Sequence, residues 1–272
     1  MDLVTVTYSG DLLAMRLQSH SLDRFITKPI THHVYIEDSN LELPAWHKQL
    51  VPFYSRHRLM LRDGDSLLDS RAGLVQTEGW IRQQAIKLLA AREVVSDRYM
   101  VLDSKNLFIK CFDIGDWPVC HGSGRWRDRQ GKMELFLQDA ERDLGLVTSG
   151  QTWTPHTPWI MHTGIARSCF DRGYVHYLLR HPQPYEFALY AAVAQIHGAQ
   201  LDVCDINLTK RIYAGSTIGM TQLDAIHADT CVLMMSIHRD AIQDGNPTSQ
   251  TLNAWLCDIG LDQSIVRAYL GA

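Results

Sequence analysis

The first forty residues do most to limit the fold. LVTVTY (3–8) is a β-branched run that ends at Ser9-Gly10-Asp11, which reads as a strand and its turn. LLAMRLQSHSLDRF (12–25) follows with Leu13, Leu17 and Leu22 at helical spacing. THHVYIED (31–38) reads as a second strand, ending on two acids. Strand, helix, strand is the opening unit of a doubly wound α/β sheet. With 272 residues and 46% apolar content, the chain can build one large α/β domain around a real core.

The rest of the chain continues the theme. VPFYSRHRLML (51–61) holds a third strand near its end, with a loop expected over 62–66. GWIRQQAIKLLAAREV (79–94) is the clearest helix. Ile81, Ala85, Leu88 and Leu89 share one of its faces, and Gln83, Gln84 and Lys87 the opposite one. YMVLD (99–103) is a short apolar strand, and 106–112 continues as an extended segment. HGSGRWRDRQGK (121–132) reads as a polar surface loop. Helices are expected over 133–146 and 184–199, a strand and a helix start in 158–172, a strand in 229–237 and helix beyond it. No repeat or linker interrupts the sequence, so residues 1–272 are expected to form a single domain.

Charge and cysteine usage narrow the function classes. A formal charge of −4 argues against a general nucleic-acid binder. Arg125, Arg127, Arg129 and Lys132 make the 121–132 loop basic, but Trp126 is the only aromatic among them. That loop reads equally as an acceptor gate or as an ordinary loop. The six cysteines show no C-x-x-C pair, a pattern of reduced thiols rather than of a disulfide frame or zinc site. The start lacks a signal-peptide pattern, and no apolar run approaches the ~20 residues needed to span a bilayer. A cytoplasmic protein is expected, one that can still work beside a membrane as a peripheral partner.

Four blocks carry a resemblance: VTVTYSGDLLAMRLQSHSLDRF, WIRQQAIKLLAA directly before YMVLDSKNLFI, TPHTPWIMHT, and PYEFALYAAVAQIHG. Together they resemble an uncharacterised bacterial family of glycosyltransferase-like proteins with the GT-A fold. The resemblance implies a Rossmann-like α/β domain with a mostly parallel central sheet flanked by helices. It implies a nucleotide-sugar-dependent glycosyltransferase acting on a glycan or lipid-linked acceptor. The chain departs from the usual Asp-X-Asp, reading Asp103-Ser104-Lys105.

Each candidate residue has a chemical reading and a plainer one. Asp103 ends a predicted strand, where a carboxylate can hold Mn²⁺ or Mg²⁺, bind sugar hydroxyls, or simply cap a turn. Lys105 either is solvated or places a fixed positive charge on a diphosphate, with no metal needed. A single carboxylate does not forbid a metal, since Mg²⁺ often takes one or two plus substrate phosphates. Gln84 and Lys87 point into a nucleotide cleft or into solvent. Asp38, with Thr7, Tyr8 and Ser9, stands where related folds hold the base or ribose, and Asp11 adjoins them. Glu186 opens a helix, where an acid suits the macrodipole. Within the resemblance it is the first choice for the base that deprotonates an acceptor hydroxyl. His156 and His162 could flank a cleft rim, Trp159 is core or sugar platform, and His238 could reach the diphosphate. His32 and His33 read as surface positions. Two other functions compete: a non-catalytic binding module of degenerate GT-A fold, and a nucleotidyltransferase. The latter should carry a glycine-rich phosphate loop, and Tyr8-Ser9-Gly10-Asp11 has one glycine.

Overall fold

The computed structural model describes residues 1–37, 43–68, 79–116, 119–121, 131–146, 156–199, 201–204, 209–213, 216–238 and 247–271. In chain order the elements are β1 (Asp2–Thr7), α1 (Leu12–Phe25), β2 (Thr31–Ile36), α2 (Leu43–Leu50), β3 (Arg58–Asp63), α3 (Gly79–Leu89), β4 (Arg98–Asp103), β5 (Asn106–Phe108) and β6 (Val119–His121). They continue with α4 (Lys132–Leu144), β7 (Trp159–His162), α5 (Thr163–Asp171), α6 (Tyr174–Arg180), α7 (Glu186–Ile196), β8 (Asp202–Cys204), β9 (Thr209–Ile212), α8 (Met220–Ala228), β10 (Met234–Ile237), α9 (Pro247–Asp258) and α10 (Gln263–Leu270). Most of the 121–132 loop, and Asp38, lie outside the described residues.

The central sheet has the order β3-β2-β1-β4-β7. β3, β2, β1 and β4 run parallel, and β7 lies antiparallel to β4. All six residues of β1 are buried, as a parallel strand covered on both faces requires. Strand alternation separates the two largest of three core clusters. Val4, Val6, Tyr99, Val101 and Trp159 join a cluster with α3, α5, α6 and α7. Leu3, Met100, Leu102 and Ile160 join another with α1, α9 and α10. Asp103 continues the Tyr99–Val101 series, so its side chain emerges on the face of α3 and α7. A smaller sheet, β5-β10-β9, begins one turn after β4.

Two expectations need correction. His32 and His33 are buried, at 0% and 3% exposure, because β2 is an inner strand with both faces covered. Trp159 is 1% exposed and stacks on Phe187 with ring centroids 4.8 Å apart, so it packs the core and offers no sugar platform. Gln84 and Lys87, read above as facing either a cleft or solvent, are buried at 4% and 5%. α2, α6 and α8, of 8, 7 and 9 residues, had no clear signal in the sequence. Helices this short owe their stability to packing rather than propensity.

His32 makes the sheet acid-sensitive. Its Nε2 lies 2.9 Å from Thr5 Oγ1 and its Nδ1 2.7 Å from the Tyr54 hydroxyl. Burial, and then the neighbouring His33 and His57, pull its pKa down to about 3. An unfolded histidine protonates near pH 6.5. Between that pH and about 3 the unfolded chain therefore holds one proton more, and stability falls as pH drops through this window. The contribution lost is about 5 kcal/mol. Urea midpoints at pH 7 and 4.5 should fall less in His32→Gln than in the wild type. Equal falls would show that His32 does not set this slope.

Candidate active site

The chain adds β2 and β3 on one side of β1, then crosses to place β4 on the other. Such a switch point leaves a crevice beyond the carboxyl ends of the strands. Here it holds a cavity of about 610 Å³. Tyr8 and Asp11 line it from the turn after β1, and Gln83, Gln84 and Lys87 from α3. Asp103, Ser104 and Lys105 enter from the end of β4, Tyr185 and Glu186 from the start of α7, and His156 and His238 from two further segments. Residues 268–271, at the end of α10, complete the lining.

A buried lysine ties the centre together. Lys87 Nζ is 3.0 Å from Glu186 Oε1 and 3.5 Å from Asp103 Oδ1. Lys105 Nζ is 3.5 Å from the other Asp103 oxygen, Oδ2. The Thr157 hydroxyl also reaches Asp103 Oδ2, at 2.9 Å. Burial disfavours the charge on Lys87, but Glu186 and Asp103 outweigh it and hold the pKa above the usual lysine value. Burial likewise pushes Asp103 up, and Lys87, Lys105 and the Thr157 hydroxyl overcome it. Asp103 thus stays ionised far below the usual carboxylate range. Glu186 differs: burial raises its pKa, Lys87 offsets only part of that, and Asp103 adds to the rise. Two carboxylates on one lysine therefore have pKa values pushed apart, the pattern that separates a fixed charge from a proton acceptor. His156 is pulled down to about 4 by burial and then by the charge of Arg211.

Tyr8, Gln84, Lys87, Asp103, Lys105, His156, Glu186 and His238 thus meet in one cavity. Thr7 sits beneath it, its hydroxyl 3.5 Å from Asp11 Oδ2. Ser9 is exposed on the 3-10 turn Ser9–Asp11 and does not line the cavity. His162 is half-buried at the end of β7, where its N–H donates to the Tyr190 hydroxyl at 2.8 Å, and it is not part of the lining. Trp80 was missed: it is 51% exposed at the first turn of α3 and lines the cavity. A tryptophan next to Gly79 at a helix start looks the same in sequence whether it packs or faces a cleft. Ser104, which donates to Asp11 Oδ2 at 2.5 Å, was also missed, since it stands between the two residues that drew notice.

The donor set does not suit a divalent cation at Asp103. Both carboxylate oxygens already face ammonium groups, and a lysine stands where a second acid would bind. Among the described residues no group of three or more His, Cys, Asp or Glu could hold a metal ion.

A family described as a family of unknown function (DUF6492) matches residues 2–243. The chain belongs to DUF6492. No curated protein sequence matches this DUF6492 chain. Solved structures do. The bifunctional glycosyltransferase WbbM, in apo form, superposes with a TM-score of 0.57 at 10% identity over 100% of this chain and 52% of its own. The DUF6492 chain thus spans about half of WbbM. The galactosyltransferase LgtC, in complex with donor and acceptor sugar analogues, gives a TM-score of 0.51 at 12% identity, covering 100% of this chain and 95% of its own. An active-site mutant of LgtC gives 0.51 at 14% identity over 90% and 92%. Identities this low show the fold alone. The DUF6492 chain has the mostly parallel, helix-flanked sheet of GT-A glycosyltransferases. No described helix is long and apolar enough to cross a membrane.

Proposed function

We propose that this protein is a glycosyltransferase that moves a sugar from a nucleotide-sugar donor to a hydroxyl of a glycan or lipid-linked acceptor, in cell-surface polysaccharide or glycoconjugate synthesis. One observation carries the reading: Lys87 joins Glu186 and Asp103 at the switch point of a GT-A sheet. In the reaction the acceptor oxygen bonds to the anomeric carbon while the bond from that carbon to the diphosphate breaks. The electron pair leaves with the diphosphate, and the acceptor proton goes to the Glu186 carboxylate. A carboxylate with a raised pKa is the better acceptor for that proton. In this reading Tyr8 meets the base and ribose, Gln84 and Lys87 the donor sugar, and His156 and His238 the diphosphate; Asp38, expected on the ribose, lies outside the described residues.

Lys105 takes the part a metal plays elsewhere on this fold. Two aspartates and a divalent cation sum to zero charge, and so do Asp103 and Lys105. A diphosphate therefore meets the same net charge from this pair, supplied by a preorganised ammonium. Mn²⁺ and Mg²⁺ are accordingly not required in this reading.

Thermal shift with UDP, GDP, dTDP and ADP, each in EDTA and in Mn²⁺, tests both points. Saturation at about 100 times Kd stabilises the native state by about 2.7 kcal/mol. One nucleotide should raise Tm by several degrees in EDTA, and Lys105→Ala should remove that shift. A shift that needs Mn²⁺ and survives Lys105→Ala would overturn the lysine's role. No shift with any nucleotide would count against the transferase.

A further inference from the structure

Asp103 is held by more than its carboxylate. Its N–H donates to Asn106 Oδ1 at 2.7 Å. Its carbonyl accepts from Gln18 Nε2 at 2.7 Å, and the second proton of that amide goes to the Asn106 carbonyl at 3.1 Å. Gln18 is fully buried, on the sheet-facing side of α1. It comes from a different element and spans the Ser104-Lys105 turn from one end to the other. Both carbonyls that bracket Lys105 are therefore fixed by one side chain.

The amide of Gln18 is itself oriented. Thr5 Oγ1 donates to Gln18 Oε1 at 3.1 Å, so its lone pair is left for His32 Nε2–H at 2.9 Å. That tautomer leaves His32 Nδ1 to accept from the Tyr54 hydroxyl at 2.7 Å. The Tyr54 oxygen in turn accepts from Ser19 Oγ at 3.0 Å. Every proton in the chain Ser19–Tyr54–His32–Thr5–Gln18 is used once, and each of its members is buried. The two carbonyls decide which end of the Gln18 amide carries NH₂, and that end sets the direction of the chain. With that end reversed, an oxygen would face the carbonyls of Asp103 and Asn106 and repel them.

We propose that Gln18 is a positioning residue of the active site: it sets the β4–β5 turn so that Asp103 and Lys105 face the donor diphosphate, and the buried chain behind it holds its oxygen end in place. This inference rests on the transfer reading above. The residue touches neither donor nor acceptor and acts through the turn. An ordinary buried polar network would add only stability; this one ends on both carbonyls of the loop that carries the charged pair.

The test uses the full chain, with Gln18→Met keeping the volume and removing all three hydrogen bonds. Turnover is measured as nucleoside diphosphate release from UDP-, GDP-, dTDP- and ADP-sugars, at a temperature where circular dichroism shows both proteins folded. Misplacing reacting groups by about 1 Å costs about 10²-fold in rate. The variant should lose kcat by about that factor, and the nucleotide's thermal shift in EDTA, which needs Lys105, should shrink. Amide hydrogen exchange read by NMR should speed up at residues 103–106 while the amides of Val34 and Val101 stay protected. A variant with unchanged kcat per folded molecule overturns the proposal, and so does exchange that rises equally across the sheet. Should the wild type release no nucleoside diphosphate, the transfer reading falls, and the exchange pattern alone decides whether Gln18 holds the turn.

Discussion

Glu186→Gln should lower turnover by about 10²–10⁴-fold, the usual contribution of a positioned general base. The substitution keeps the shape and one acceptor oxygen, so Lys87 Nζ, 3.0 Å away in the wild type, still has a partner there. What is lost is the group that takes the acceptor's proton. Donor affinity, read by thermal shift with the nucleotide alone, should change little. Burial already raises the Glu186 pKa in the wild type, so its unfolded partner ionises at the lower pH. Stability from this carboxyl is therefore complete below the unfolded value and is lost as pH rises through the folded one. Glu186→Gln removes that loss and should hold its stability better from pH 5 to 8. A variant that keeps full turnover would remove Glu186 from the mechanism.

Lys87→Met should be the most destabilising change at the site. Removing one member of a buried ion pair costs about 3–5 kcal/mol, because the partner charge stays behind. Here Asp103 and Glu186 both lose their shared cation. With the lysine gone, the main offset to burial at Glu186 is lost, and its pKa climbs further. The variant should therefore regain stability as pH falls and Glu186 takes up a proton. Denaturant melts at pH 5 and 8 should show a larger deficit at pH 8. Activity should also drop by about 10²–10³-fold, as for the loss of one preorganised electrostatic donor. A deficit of equal size at both pH values would mean that Glu186 does not titrate against Lys87.

The parts of this site that show in the sequence are those set by local geometry. A strand end places Asp103, a helix start places Glu186, and the strand–helix–strand opening announces the switch point between them. Lys87 was legible only in part. On α3 it lies opposite Ile81 and Ala85, a spacing that suits a cleft or solvent alike. Its true partner, Glu186, is 99 residues away, and only the folded sheet brings the two together. His32 failed for the same kind of reason, since a histidine pair at a strand start carries no sign that Tyr54 and Thr5 will enclose it. Trp159 was undecided because a tryptophan beside a strand suits a core as well as a cleft, and Phe187 settles it. Gln18 left a trace that pattern reading passes over: a polar amide between Leu17 and Leu22, on the apolar stripe of α1.

The central claim is that the Asp103–Lys105–Glu186 cluster transfers sugar from a nucleotide without a metal. The most direct measurement is nucleoside diphosphate release from a panel of sugar nucleotides, in EDTA, by wild type, Lys105→Ala and Glu186→Gln. The account predicts release from one donor that EDTA leaves unchanged and that both substitutions abolish. Release that stops in EDTA and persists in Lys105→Ala would contradict it.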